Sequence, residues 1–278
     1  MIDMKTKLYM VPTPIGNLDD MTFRAVKILK SVDMIGCEDT RKTGKLLKHF
    51  NIDNKLFSFH KFNERQKEEY IINEIKLGKS IAIVSDAGTP GISDPAGKLL
   101  KSAIQKNIEI ECLPGATAFI PALITSGLNS ERFVFLGFLS KKKSVKKTLI
   151  DSAAKIPYTL VFYESPHRIK KTISYLMKNL GDRKAALIKE ISKIYETKIR
   201  GSFSQILERI QSEKIKGEFV IVCEGFKPQK ISDKEISKLL KKELADSNSK
   251  KNAVRKICDN YNLAKNRVYE ISLKINNI

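Results

Sequence analysis

The sequence predicts an α/β fold: two α/β domains, residues 1–128 and 129–228, and a small basic helical module, 229–278. Three observations carry that prediction. Short apolar runs alternate with amphipathic stretches over the first 128 residues. Several of these runs end in a Gly- or Pro-rich turn that opens directly into a helix. Beyond Pro228 the apolar runs stop, and Lys-rich helical spacing takes over.

The predicted elements follow in order. Residues 8–11, Leu-Tyr-Met-Val, read as a short strand. Pro12, Pro14 and Gly16 then make a rigid loop, and residues 22–30 read as an amphipathic helix with Phe23, Val26 and Leu29 on one face. Residues 34–37 are the next strand and 40–50 the next helix. Residues 56–59 precede a helix over 64–77. The run 81–84 is a buried strand that ends in Ser85-Asp86-Ala87-Gly88-Thr89-Pro90-Gly91-Ile92-Ser93-Asp94-Pro95. Asp94 caps the helix that follows at 97–106, and Pro95 takes its first position. A strand over 108–113 and a helix over 116–126 close the unit. Strands this apolar, with helices this regular, predict a largely parallel sheet covered on both faces.

The second block opens near Glu131. Strands are predicted at 133–136, 158–162, 184–191 and 219–223, and helices at 145–154, from Ser165-Pro166 to about Lys178, and at 202–213. In the tail, Ile236, Leu239 and Leu240 share one helix face, and Val254, Ile257, Cys258 and Tyr261 share another. A turn at Tyr261-Asn262-Leu263 precedes a third helix over 267–275, and Asp246-Ser247-Asn248-Ser249 reads as a linker. Three short basic helices with a tight turn before the last read either as a helix-turn-helix-like module or as a helical cap. No internal repeat is present.

Composition bounds the function. The 278 residues suffice for two modest domains, and no apolar run reaches membrane-spanning length. Met1-Ile2-Asp3-Met4-Lys5 lacks the apolar core of a signal peptide, so a cytoplasmic location and no membrane partner are expected. Cys37, Cys112, Cys223 and Cys258 lack zinc-ligand spacing and read as reduced core residues; no metal is expected. The net charge of +20 fits a polyanionic partner, and a general compositional bias toward Lys fits it too. Local clusters therefore weigh more: Lys141-Lys142-Lys143 with Lys146-Lys147 sets five ammonium groups in seven residues.

Four clusters at predicted strand ends carry the chemistry: the Val11–Leu18 loop, Glu38-Asp39-Thr40-Arg41, the Ser85–Pro95 loop, and Leu113-Pro114-Gly115-Ala116-Thr117-Ala118. In an α/β sheet all four converge on the carboxyl edge, where ligands bind. Gly88 and Gly91 permit sharp bends and close backbone approach. The small side chains of the fourth cluster leave room for a flat, nucleoside-like molecule. Neither a P-loop nor a well-placed G-x-G-x-x-G is present, which argues against an NTPase and an ordinary NAD site.

These clusters, with Phe59-His60-Lys61-Phe62-Asn63-Glu64 and Phe162-Tyr163-Glu164-Ser165-Pro166-His167-Arg168, resemble the bacterial 16S rRNA cytidine 2′-O-methyltransferases, within the tetrapyrrole-methylase-like superfamily of S-adenosylmethionine (SAM) enzymes. The resemblance runs from about Leu8 to Glu224. One position departs from the pattern: Ala96 stands where Gly is expected, with Gly97 just after it. The resemblance implies two α/β domains of the tetrapyrrole-methylase type with a SAM cleft between them, and a homodimer. It implies methylation of a cytidine ribose at the decoding centre, with 16S rRNA or the small ribosomal subunit as partner. Carried onto this chain, it implies a cofactor pocket built from Pro12, Asp86, Ala87, Gly88, Pro90, Ala116 and Thr117, with Gly91 shaping the loop.

A ribose hydroxyl is a weak nucleophile, so a base or a nearby cation should assist it. Candidate groups are Glu38, Asp39, His60, Glu64, Glu164, Lys189 and Glu190, which the residues alone do not rank. His60, between Phe59 and Phe62, reads equally as packing. Arg24, Arg41 and Arg168 are phosphate-contact candidates because guanidinium suits bidentate phosphate recognition, though each could be a surface ion pair. Lys141, Lys142, Lys143 and, in the tail, Arg255, Lys265 and Arg267 complete the RNA-binding candidates. Two other readings are a tetrapyrrole methyltransferase of the same fold and a non-enzymatic RNA-binding protein. The intact Asp86–Asp94 loop speaks against the second.

Overall fold

The computed structural model describes residues 6–94, 96–212, 215–227, 232–246, 249–261 and 263–275. The start of the chain (1–5), Pro95, Glu213, Pro228, the linker residues Ser247 and Asn248, and Asn262 lie outside the described residues. The chain divides into two compact units, Met1–Gly225 and Phe226–Ile278.

The first half of the larger unit alternates strands and helices: β1 (Leu8–Met10), α1 (Phe23–Ser31), β2 (Met34–Cys37), α2 (Thr40–His49), β3 (Leu56–Ser58), α3 (Glu64–Lys76), β4 (Ile81–Val84), α4 (Ala96–Gln105) and β5 (Ile110–Cys112). The sheet is wholly parallel, ordered β3-β2-β4-β1-β5. Strand side chains alternate between faces, so β1 sends Leu8 and Met10 to one layer and Tyr9 and Val11 to the other. Leu8 and Met10 pack with Ile71, Ile72 and Ile75 of α3 and Leu99 of α4. Tyr9 and Val11 pack with Ala25, Ile28 and Leu29 of α1 and Leu47 of α2. Burial on both faces explains why these strands read as unbroken apolar runs.

One expected face is corrected. Phe23 is 90% exposed, whereas Leu29 is buried and Val26 half-buried as expected, joined by Ala25 and Ile28. Phe23 stands two residues before Ala25, about 200° around the helix, so it points away from the sheet. The Thr22 side chain accepts the Ala25 N–H at 3.0 Å and starts the helix there.

The second half contains α5 (Phe119–Ser126), β6 (Phe133–Phe138), α6 (Lys143–Ala153), β7 (Thr159–Glu164), α7 (Ile169–Leu180), β8 (Lys184–Lys189), β9 (Thr197–Ser202), α8 (Phe203–Ile210) and β10 (Phe219–Cys223). Its sheet is ordered β6-β7-β10-β8-β9, parallel only at β6–β7 and antiparallel elsewhere. One face packs on α6, α7 and α8 through Leu160, Phe162, Leu187 and Ile221. The other face packs Val161, Ala186 and Val220 on Ala122 and Leu123 of α5. Strand β9 has no counterpart in the sequence reading. Ile199 is its one buried apolar side chain, and its ladder is supplied by β8. Helix α7 starts three residues after Ser165-Pro166, which form a turn closed by Arg168 and Ile169 N–H donating to Ser165 O.

Cys37 and Cys223 are buried and Cys258 is half-buried, whereas Cys112 is exposed where β5 ends as an edge strand, contrary to its core assignment. Burial pushes the Cys223 thiol up to about 12. In the smaller unit, α9 (Asp233–Asp246), α10 (Lys250–Tyr261) and α11 (Lys265–Ile275) enclose Ile236, Leu240, Val254, Ile257, Val268 and Ile271. Among the described residues, no helix is long and apolar enough to cross a membrane.

Candidate active site

The site grows out of the middle of the parallel sheet. Strands β1 and β4 are neighbours, so the loops that leave them run side by side. They are stitched together: Thr13 N–H donates to Gly88 O at 3.0 Å, and Gly88 N–H donates to Thr13 O at 2.9 Å. Thr13 Oγ1 donates to Ser85 O at 3.0 Å, and Ser85 Oγ donates to Gly88 O at 2.9 Å. Thr89 Oγ1 donates to Ala116 O at 3.0 Å and brings in the loop after β5. The far end of the Gly-rich loop is closed by Asp94, whose carboxylate accepts from Gly91 N–H at 2.7 and 2.8 Å and from Ala96 N–H at 2.9 Å. Gly91 has φ +93° and Gly88 φ +84°, backbone conformations that an L side chain strains.

A cavity of about 410 Å3 opens against these loops. That lies within the range of about 300–1,000 Å3 usual for ligand pockets. Ile15, Ala87, Gly88, Thr117 and Ala118, from the loops after β1, β4 and β5, line it together with Tyr163, Phe219 and Val220 of the second sheet and Ile191 just after β8. The acidic residues Glu38, Asp86, Asp94 and Glu218 also belong to this lining. A second cavity of about 480 Å3 shares Ile15, Thr117 and Ile191 and is lined by Gly115 and Ala116.

Electrostatics sharpen the picture. Burial, then the charges of Asp86 and Asp94, raise the Glu38 carboxyl above its usual range, against the opposing Asp86 N–H. Burial raises Asp94 against its two backbone N–H donors. Asp86 receives Asp39 N–H at 3.1 Å and Lys42 Nζ at 2.7 Å, and that hydrogen bond raises the Lys42 pKa. Burial likewise raises the Tyr163 hydroxyl.

Of the candidates for base or cation, Glu38 and Glu164 are lining residues of the cavity and the others are not; the Glu164 side chain is itself 0% exposed and is held by Ser165, Thr172 and Arg168. Asp39 caps α2, its carboxylate receiving Arg41 N–H at 2.9 Å, which lowers its pKa. His60 is not a lining residue; its ring meets Phe62 edge-on, and its buried Nδ1 has no hydrogen-bond partner among the described residues. Glu64 is buried at the start of α3 and pairs with Lys98 of α4 at 3.1 Å. Lys189 ends β8 opposite Phe219 and Thr197. Glu190 (φ +54°) braces the wall instead, accepting Glu218 N–H at 2.8 Å and Lys193 Nζ at 2.9 Å. His60, Glu64 and Glu190 are thus engaged in local packing or pairing, and Lys189 is not among the residues that line the cavity.

Of the cofactor candidates, Asp86, Ala87, Gly88 and Thr117 line the first of these cavities. Ala116 lines the second one. Pro90 lies behind the loop, beside Phe59 and Asp94. Pro12 buttresses Gly115, where an added Cβ would come within 2.4 Å of the proline ring. The second-sheet lining at Ile191 and Glu218–Val220 escaped the sequence reading. Those residues look like ordinary strand ends and become a wall only through long-range pairing.

The phosphate candidates divide by burial. Arg24 pairs with Glu111, and Arg41 with Asp39; both guanidinium groups are exposed, and solvent screens such pairs, so neither is committed. Arg168 is different. Its Nη2 donates to Leu139 O at 2.7 Å and lies 3.2 Å from Glu164, whose side chain is 0% exposed. Lys141, Lys142 and Lys143 are exposed at the start of α6, while Lys146 lies over the Tyr175 ring and Lys147 pairs with Asp151. Arg255 and Lys265 are exposed on α10 and α11, and Arg267 pairs with Asp233 at 2.7 Å.

A parallel sheet whose loops face a mixed second sheet across a nucleoside-sized cavity is the design of a two-lobed α/β methylase. Residues 7–207 match the family of tetrapyrrole (corrin/porphyrin) methylases, and the chain belongs to that family. It is 50% identical over 211 residues, 75% of this chain and 74% of the relative, to a protein of Streptococcus pyogenes serotype M18 named ribosomal RNA small subunit methyltransferase I. A Synechocystis protein of the same name is 40% identical over 272 residues, covering 96% of this chain and 98% of its own. Among solved structures, a Thermus thermophilus uroporphyrin-III C-methyltransferase in complex with S-adenosylhomocysteine shares the fold at TM-score 0.55 and 16% identity, covering 78% of this chain and 96% of that one.

Proposed function

We propose that this protein is the S-adenosylmethionine-dependent methyltransferase that modifies the ribose 2′-oxygen of a cytidine in 16S rRNA at the decoding centre. The observation that carries the reading is the cavity under the stitched loops, in a chain whose relatives at 40–50% identity bear an rRNA methyltransferase name. The lining fits the cofactor. Its apolar wall and the Tyr163 ring suit an adenine, and its carboxylates suit ribose hydroxyls and a positive sulfonium. Gly88, whose added Cβ would lie 3.4 Å from both Ala116 O and Ile15, lets the backbone itself form the floor.

When bound, the cofactor supplies a methyl group activated on a sulfonium, so alignment is the protein's main task. Glu38 is the group best suited to take the hydroxyl proton, because its raised pKa brings a carboxylate closer to the strength of a useful base. Asp86, held by Asp39 N–H and Lys42, orients the sugar on the cofactor side. Glu38→Gln is expected to lower single-turnover methylation about 100-fold or more while SAM binding persists. The sign of the pH effect follows from the raised pKa. The wild-type rate should fall on acidification through a value above the ordinary carboxylate range, and the Gln variant should lose that limb. An unchanged profile would remove Glu38 from the role.

The Lys141–Lys143 cluster, with Arg255 and Lys265, fits rRNA phosphates. Replacing Lys141, Lys142 and Lys143 with Ser should reduce the salt slope of RNA binding by about one unit or less per lost contact. A slope identical to wild type would assign the cluster to solubility alone. A cytoplasmic location and a homodimer accord with this role. The test of the whole reading is ribose-methylation mapping on 16S rRNA and on isolated small subunits after incubation with the purified protein and SAM. Methylation at one cytidine is expected, and its absence from both substrates would overturn the proposal.

A further inference from the structure

Strand β6 contains a device that the cofactor pocket does not need. Its pairing with β7 shifts register between Phe135 and Gly137, so that Leu136 is skipped, Gly137 pairs with Phe162 and Phe138 pairs with Tyr163. Gly137 sits at φ +59°, in the left-handed region. Such a bulge re-aims the side chains beyond it. Without it, residue 137 would share a face with Phe133 and Phe135; with it, Phe138 takes that place.

The result is a row of rings. Phe119 stacks on Phe135 with centroids 4.7 Å apart, Phe135 meets Tyr163 edge-on at 4.9 Å, and Tyr163 meets Phe138 at 5.5 Å. The first three rings are partly covered. Phe138, last in the row, lines the cavity and is 52% exposed. It is also held in place. Arg168 donates to the carbonyl of Leu139, the next residue, and Ser93 Oγ lies 3.2 Å from where a Cβ on Gly137 would stand. A fixed, uncovered aromatic face at the end of a ring row offers a surface for one more flat ring.

Charge says which ring it receives. The cavity is lined by Glu38, Asp86, Asp94 and Glu218, so a phosphate is repelled from its interior. Three residues past Phe138, the exposed ammonium groups of Lys141, Lys142 and Lys143 begin. A nucleotide that offers its sugar to the acidic cavity leaves its phosphates outside, on the lysine side. We propose that Phe138 is the platform on which the target nucleobase stacks, so that it positions the ribose of the nucleotide to be methylated. This rests on the rRNA reading above and adds to it the residue that seats the base. Stacking is tolerant of base identity, so Phe138 provides placement, and the choice of cytidine comes from elsewhere.

The experiment compares wild type with Phe138→Ala, Phe138→Leu and Phe138→Trp. It measures steady-state methylation of small subunits, SAM binding by titration calorimetry, and thermal unfolding. A wild-type enzyme inactive on rRNA would mean that the functional reading has failed, a result separate from any variant's behaviour. With active wild type, Phe138→Ala should raise KM for the subunit about 10- to 100-fold, with SAM affinity and Tm near wild type. Phe138→Trp should retain wild-type KM, and Phe138→Leu should behave like Ala. Wild-type KM in Phe138→Ala would overturn the proposal. Full rescue by Leu would overturn it too, because apolar cover without a π-face would then suffice. Loss of SAM affinity in Phe138→Ala would assign the ring to the cofactor pocket instead.

Discussion

Replacing Gly88 with Val is expected to raise the dissociation constant for S-adenosylmethionine about 100-fold or more, equivalent to about 2.7 kcal/mol. Gly88 has φ +84°, where a β-branched residue is strained. Its added Cβ would lie 3.4 Å from both Ala116 O and the Ile15 side chain, with two further methyls to accommodate in the cavity floor. The loop would have to move, and the pair of hydrogen bonds with Thr13 moves with it. The strain costs about 1–3 kcal/mol of stability, so the variant should remain folded with a Tm lower by several degrees. Titration calorimetry on the folded variant checks the claim. Wild-type affinity in a protein that unfolds cooperatively would remove the Gly-rich loop from the cofactor site.

Replacing Arg168 with Leu is expected to destabilise the larger unit by about 3 kcal/mol. The guanidinium is the cation facing Glu164, whose side chain is wholly buried, and it also satisfies the carbonyl of Leu139. Removing one partner of a buried pair typically costs about 3–5 kcal/mol, because the other charge stays desolvated. The low end applies here. Thr172 Oγ1 still donates to Glu164 at 2.6 Å, and Ser165 N–H at 2.8 Å. The double change Arg168→Leu with Glu164→Gln should recover part of the loss, since an amide carries no charge to strand. Denaturant unfolding of the four proteins in this cycle tests the coupling. A midpoint equal to wild type in Arg168→Leu would return the side chain to the list of free phosphate contacts. Because Leu139 follows Phe138, the single variant should also raise KM for the RNA substrate at temperatures where it remains folded.

Much of the first sheet was legible because its information is local. Each strand is buried on both faces and reads as a run, as at Met34–Cys37 and Ile81–Val84, whose bounds agree with the sequence reading. Each connection carries its own turn chemistry, and Asp94 bonds Ala96 N–H as a helix-starting residue does. The alternation of such units, the loop from Ser85 to Asp94 and the change to basic helices in the tail were therefore determined by the sequence itself. Two expectations failed within that local frame. Phe23 was assigned to the buried face on an i, i+3 pattern that drifts around the helix. Cys112 was assigned to the core by its strand position, although β5 is an edge.

Long-range pairing decided the rest. Strand β10 inserts antiparallel between β7 and β8, and only this insertion turns Glu218, Phe219 and Val220 into a cavity wall. Strand β9 is built by its partner's hydrogen bonds around one buried isoleucine, so it has no apolar signature of its own. A register shift of one residue re-aimed Phe138, and nothing in Phe-Val-Phe-Leu-Gly-Phe shows where that shift falls. The carboxylates were ambiguous for the same reason. Glu38, Glu64, Glu164 and Glu190 are chemically alike in sequence, yet one faces the cavity in a raised state, one pairs with Lys98, one is sealed under Arg168, and one braces Glu218. A residue type and a period are properties of a few neighbouring positions, and they specified the elements and their loops. The direction a side chain takes, and the charges it meets, depend on segments far along the chain, which only the folded structure brings together.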